Sequence, residues 1–160
     1  MRKFLFFMVL FFEMFLTGCS QDKTGPVEVK WDRDACERCR MVLSDRKHSA
    51  QVRSGIDGKV YLFDDIGGAI LWLQDKDWKE NIKTEIWVNH HETGEWLNAR
   101  TATFISGQNT PMSFGLGAQS VSVEGGMSYT QAIGYIQNRE QTFNKSGTDL
   151  KGQMHHEHQH

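Results

Sequence analysis

Cys36-Glu-Arg-Cys39-Arg-Met41 places two thiols and a thioether within six residues. Thiolate and thioether sulfur are soft donors that together select Cu(I) over hard cations, and a thioether adds little to a zinc site. Structural zinc also wants four nitrogen or sulfur ligands, and the chain has no second cysteine pair to complete such a set. The Cys-x-x-Cys spacing alone leaves three readings open: a Cu(I) site, a redox thiol pair, or a plain Cys36–Cys39 disulfide with Met41 packed in a core. Met41 weighs toward copper, because a thioether does nothing for disulfide exchange. A thioredoxin-like pair also follows a strand and opens a helix, which lowers the thiol pKa. No convincing strand precedes Cys36, and helical spacing after Met41 is poor.

A further sulfur stands in Thr110-Pro-Met112, inside a Gly/Asn/Pro loop over residues 106–118. Met112 reads either as a ligand closing from a distance or as a loop residue tucked onto a sheet, and spacing alone favours packing. Met154-His155-His156-Glu-His158-Gln-His160 ends the chain, and such tracts bind metal by composition. A secondary Cu(II) site and a solvated tail are both open there. His48 and His90-His91 read as turn or surface residues. Asp64-Asp65 stand before a helical pattern, where capping explains them better than paired-carboxylate chemistry. No Ser/His/Asp arrangement, phosphate loop or dinucleotide fingerprint is present. A formal charge of −2 without a basic stripe argues against a nucleic-acid partner.

The N-terminus is an export signal. Arg2 and Lys3 precede an apolar run from Phe4 to Leu16, and Leu16-Thr17-Gly18-Cys19 follows. The run is shorter than the roughly 20 residues a spanning helix needs. The Leu-Thr-Gly-Cys box resembles the lipobox of bacterial lipoproteins, in which the cysteine is acylated. Residues 1–18 are therefore read as a lipoprotein signal peptide, with Cys19 as the lipidated residue. Residues 19–29 read as a tether, 30–140 as one domain, and 141–160 as a disordered His-rich tail.

The elements that must position the sulfurs follow from periodicity. Residues 48–54 and 59–63 are strand-like around Gly55-Ile-Asp-Gly58, a hairpin signal. Ile66, Ala69, Ile70 and Leu73 keep helical spacing after an Asp64 or Asp65 cap, which predicts a helix over 65–74. Strands are expected over 84–88, 96–99, 101–105 and 119–124, and a second helix over 128–138. The order suggests an α+β domain of two ββα-like units, its helices packed on a mainly antiparallel sheet.

Cys36-x-x-Cys39-x-Met41, Phe63-Asp-Asp-Ile66 opening a helix, and Thr110-Pro-Met112-x-x-Gly115-Leu116 stand in the order seen in the NosL family. The chain resembles that family over about residues 19 to 140. The family usually has Gly where this chain has Arg40, and Met-Gly where it has Met112-Ser113. The resemblance implies a copper-binding lipoprotein with paired ββα-like units, and it brings Met112 to the Cu(I) site beside Cys36, Cys39 and Met41. It implies a metallochaperone, not an enzyme, that delivers copper to apo nitrous oxide reductase or another cuproenzyme and its assembly machinery. Attachment would be to the cell envelope through lipid, facing the periplasm. Ser20 after Cys19 would suit the outer membrane of a Gram-negative host. The alternative is a lipid-anchored thiol–disulfide oxidoreductase using the Cys pair.

Overall fold

A computed structural model describes the backbone of residues 24–157 and the side chains of residues 24–145. The export signal, Cys19, His158 and His160 lie outside the described residues. Met154, His155 and His156 are described as backbone only.

The Gly55–Gly58 signal turns the chain as expected. Strand β1 (Ala50–Arg53) pairs antiparallel with β2 (Val60–Phe63), Ala50 facing Phe63 and Arg53 facing Val60. Gly58 has φ 70, a left-handed conformation that glycine adopts without a Cβ clash. Strand β3 (Glu85–Asn89) pairs with the other edge of β1, and β4 (Trp96–Asn98) pairs with β3. The main sheet therefore runs β2-β1-β3-β4, all antiparallel. Strands β5 (Thr103–Ser106) and β6 (Leu116–Gln119) form a second, two-stranded sheet. A parallel bridge between His90 and Ala118 joins the two.

Helix α1 (Ile66–Gln74) follows β2 directly and buries Ile66, Ala69, Ile70 and Leu73, the positions its periodicity marks. Asp65 caps it, its carboxylate accepting from Gly67 N–H at 2.6 Å, a contact worth about 1 kcal/mol. Helix α2 (Tyr129–Glu157) packs on α1 and β5. The core gathers Phe63, Ile66, Ile70, Ile86, Val88, Phe104, Leu116 and Ile136 between these layers. Both β1-β2-α1 and β5-β6-α2 are ββα in order, and β3-β4 widens the first sheet. The architecture is α+β, as the sequence leads one to expect.

Three local readings change. The expected strand over 119–124 lies upstream, at Leu116–Gln119, and Val121 and Val123 are exposed. Alternation in Gln119-Ser-Val-Ser-Val-Glu124 mimics a half-buried strand. The true strand carries Gly117, which composition reads as loop but which close packing requires. A Cβ there would fall 2.8 Å from Gln108 Cγ and 2.9 Å from His91 Cβ. Second, α2 does not stop near 138; its backbone runs on as helix to Glu157. Residues 137–145 are rich in good helix formers, and Arg139, Glu140 and Phe143 all find partners on the body. Third, residues 24–29 are no loose tether. Gln51 grips Val27 with two 2.8 Å bonds, and Val29 is buried.

Candidate metal centre

The Cys36 segment is a tight loop whose ends pair like a short hairpin. Ala35 bridges Val42, Cys36 N–H donates to Met41 O at 2.8 Å, and Arg40 N–H donates to Cys36 O at 3.0 Å. Closing so short a loop puts Arg40 at φ 63, a region that disfavours residues with a Cβ. Glu37 N–H donates to Leu62 O at 2.7 Å, which fastens the loop against the end of β2. Both thiols consequently lie next to the residues that follow β2.

Cys36 is buried and Cys39 is half-buried; both are free thiols. Cys39 N–H points at Cys36 Sγ at 3.4 Å, and the Cys39 thiol donates to Asp64 Oδ2 at 3.2 Å. Among the described residues, Cys36, Cys39 and Asp64 form the one group in which three such ligand atoms all lie within 4.8 Å of one another. Burial pushes the Cys39 thiol up to about 12, with the Cys36 and Asp64 hydrogen bonds adding to the rise. The second Asp64 oxygen, Oδ1, is buried without a hydrogen-bond partner. Such an orphaned acceptor is costly, and a cation at the cluster would satisfy it. Two sulfurs on one loop and a buried carboxylate oxygen beside them, open on one side, form a set able to hold a metal ion.

Asp64 is the member that sequence reasoning missed. Both aspartates read as caps, but a helix has one cap position and Asp65 fills it. Asp64 is thereby turned toward Cys39. The available signal was the doubling itself, since two carboxylates precede a helix that can use one.

The Met112 loop docks on the start of α1, next in sequence to Asp64. Thr110 and Ser113 close a turn, Ser113 N–H donating to Thr110 O at 2.9 Å, and Ser113 has φ 59. Thr110 Oγ accepts from Gly115 N–H at 3.1 Å. Phe114 lies flat on the start of α1, where a Cβ on Gly67 would run into its ring. Asp65 is buried, and burial raises its pKa. The Thr110 hydroxyl and the Gly67 and Met112 N–H groups pull the other way. Only the Gly67 contact has full hydrogen-bond geometry, and Oδ2 keeps no partner of that quality. Met112 itself is half-buried against the core. The fold thus brings Cys36, Cys39 and Asp64 together and seats the Met112 loop on Asp65 and Gly67, next in sequence. Met41 is 48% exposed at the mouth of the Cys loop.

One turn of α2 spans both loops. Arg38, between the cysteines, pairs with Glu140 at 2.8 Å. Arg139 Nε donates to Ser113 O at 2.7 Å, and Phe143 meets the Phe114 ring edge-on at 5.9 Å. His48 and His90 have local work in turns, as the sequence reading has it. His48 Nδ1 lies 2.9 Å from Asp45, and His90 Nδ1 accepts from Glu92 N–H within the β3–β4 turn.

No protein-family model and no curated relative matches the chain. Among solved structures, the copper chaperone NosL from Shewanella denitrificans is similar, with a TM-score of 0.53 at 18% identity over 72% of this chain and 89% of that one. The two share a fold, and it is the fold of the family to which the sequence motifs point.

Proposed function

We propose that this chain is a lipid-anchored Cu(I) chaperone. It takes one Cu(I) as cargo on the thiolates of Cys36 and Cys39, with thioether from Met112 and Met41, and yields it to an exported copper enzyme. The observation that carries the reading is the Cys36–Cys39–Asp64 cluster at the junction of β2 and α1, set in a fold shared with a protein described as a copper chaperone. Soft sulfur donors favour Cu(I). A half-exposed site whose thioethers are neutral and weakly held lets an acceptor replace ligands one at a time. Nitrous oxide reductase is the recipient that the NosL resemblance implies. Cys19 would carry the acyl chains that hold the chain at the envelope, and the His-rich end would serve as a capture arm.

The oxidoreductase alternative loses ground on geometry. An attacking thiol is activated at a helix N-terminus or beside a cation. Here Cys36 is buried, Cys39 faces a carboxylate, and neither opens a helix. A thiol whose pKa sits near 12 is a poor nucleophile at neutral pH.

Competition for Cu(I) against a calibrated chelator tests the proposal. Cys36→Ser or Cys39→Ser should lower affinity by more than about a hundredfold, roughly 2.7 kcal/mol. Met112→Leu should lower it by about tenfold, with the melting temperature nearly unchanged. The raised Cys39 pKa fixes the sign of the pH dependence. The thiol is protonated at neutral pH, and binding must displace that proton. Affinity should therefore rise with pH between 6 and 8 and fall on acidification. Wild-type affinity in both serine variants would refute the reading. A Met112→Leu variant that binds fully but melts much lower would make Met112 a packing residue.

A further inference from the structure

The main sheet has a second end, opposite the sulfurs. Strand β1 runs from Ala50, which faces Phe63 just before Asp64, to Arg53, which faces Val60 beyond the Gly58 turn. Those three residue steps span about 10 Å, and the turn adds to it. At the Arg53 end Ile82 is 98% exposed and Ile56 is 68% exposed. Their loops abut, since a Cβ on Gly55 would lie 2.6 Å from Asn81 Oδ1 and 2.8 Å from Thr84 N.

The incoming chain is fastened to this same end. Gly25 N–H donates to Glu85 Oε2 at 2.8 Å, and Arg53 Nη2 donates to Gly25 O at 2.7 Å. The other arm of the buried Arg53 guanidinium donates to Gly58 O at 3.0 Å, tying the entering segment to the hairpin turn. Six residue steps separate Cys19 from Gly25, a reach of at most about 20 Å. An acyl group on Cys19 is therefore tethered at the end that carries the two isoleucines.

We propose that the Ile56–Ile82 end is a membrane-resting face. With Cys19 lipidated, both isoleucine tips enter the phospholipid interface beside the acyl chains, and the Cys36–Cys39 site is held on the side away from the bilayer. The inference rests on the lipid anchor of the proposed function. A bilayer suits this surface better than a protein does. Stable protein interfaces bury about 800 Å² on each partner, whereas two separate loop tips beside Asp57 and Lys59 offer shallow insertion points. Their mixed charge makes the contact independent of anionic lipid. The consequence is functional: Met41, Val42 and the half-exposed Cys39 face the compartment from which a copper acceptor would approach.

Photo-crosslinking of the full lipidated protein in phosphatidylethanolamine–phosphatidylcholine vesicles tests this. p-Benzoylphenylalanine is placed at position 56, at position 82, or at Thr93, an exposed residue in the turn at the far end of β3. Phospholipid adducts at 56 and 82 several-fold above those at 93 are the expected result. Equal yields at all three, or none at 56 and 82, would overturn the proposal. Adducts to a second copy of the chain or to another protein at 56 and 82 would overturn it in favour of a protein interface. Intact mass separates the two layers of argument. Acyl chains on Cys19 without lipid adducts defeat the membrane face alone; a protein without acyl chains defeats the anchor and the face with it.

Discussion

At the scale of single residues, two left-handed positions in the site loops are occupied by residues other than glycine. Arg40 (φ 63) closes the Cys loop and Ser113 (φ 59) closes the Met112 turn. They are the positions where the NosL pattern has Gly. A left-handed residue with a Cβ costs about 1–2 kcal/mol, and glycine gives back about 0.5–1 kcal/mol through chain entropy. Arg40→Gly and Ser113→Gly should each stabilise the protein by about 0.5–1 kcal/mol, read as an upward shift of the urea midpoint with unchanged slope. The Arg40–Glu37 contact is long at 3.4 Å and exposed, so its loss changes little. Destabilisation by either glycine would show that these side chains hold the loops in ways the backbone does not reveal. The left-handed backbone of both loops was not read from the sequence, although the family's glycines at these positions were the signal for it. The separate duties of Asp64 and Asp65 were not legible, because capping preference is a property of residue type and both residues share it.

At the scale of elements, α2 is the part whose function was hidden. Its first three turns carry an apolar face, with Ala132 and Ile136 buried, and periodicity finds them. Beyond Asn138 the sequence turns polar, and local pattern has nothing left to detect. What continues the helix is tertiary: Glu140 on Arg38, Arg139 on Ser113 O, Phe143 on Phe114. Strand β6 was misplaced for the same reason, since Gly117 is selected by the approach of Gln108 and His91. The β1-β2 hairpin and α1 were legible because turn, cap and apolar spacing agree there. The α2 turn over 139–143 should govern how long copper stays bound. The Arg38–Glu140 pair is partly exposed, at 31% and 27%, so it adds at most about 1 kcal/mol to stability. Glu140→Ala should leave the melting temperature nearly unchanged while accelerating Cu(I) transfer to a chelator several-fold in stopped-flow mixing. The exchanged pair Arg38→Glu with Glu140→Arg should restore the slow rate. An unaltered transfer rate in Glu140→Ala would leave the helix a purely structural role.

At the scale of the whole molecule, the topology brings to one corner loops that lie far apart in the chain. The loop carrying Cys36 and Cys39 is fastened to β2 through Glu37 and Leu62. Asp64 arrives because α1 follows β2 without a linker, and the Met112 loop arrives because Phe114 seats on Gly67. The rest of the fold separates this corner from the end where the N-terminal segment enters. Under the proposed function, cargo would sit at one end and attachment at the other. The claim under all of this is that the cargo is Cu(I) held by sulfur. X-ray absorption at the copper edge, on the reduced full chain carrying one equivalent of Cu(I), tests it most directly. The account predicts a first shell dominated by sulfur, lost when Cys36 and Cys39 are both replaced by serine. A first shell of nitrogen or oxygen, unchanged by those replacements, would move the metal to the terminal histidines and contradict it.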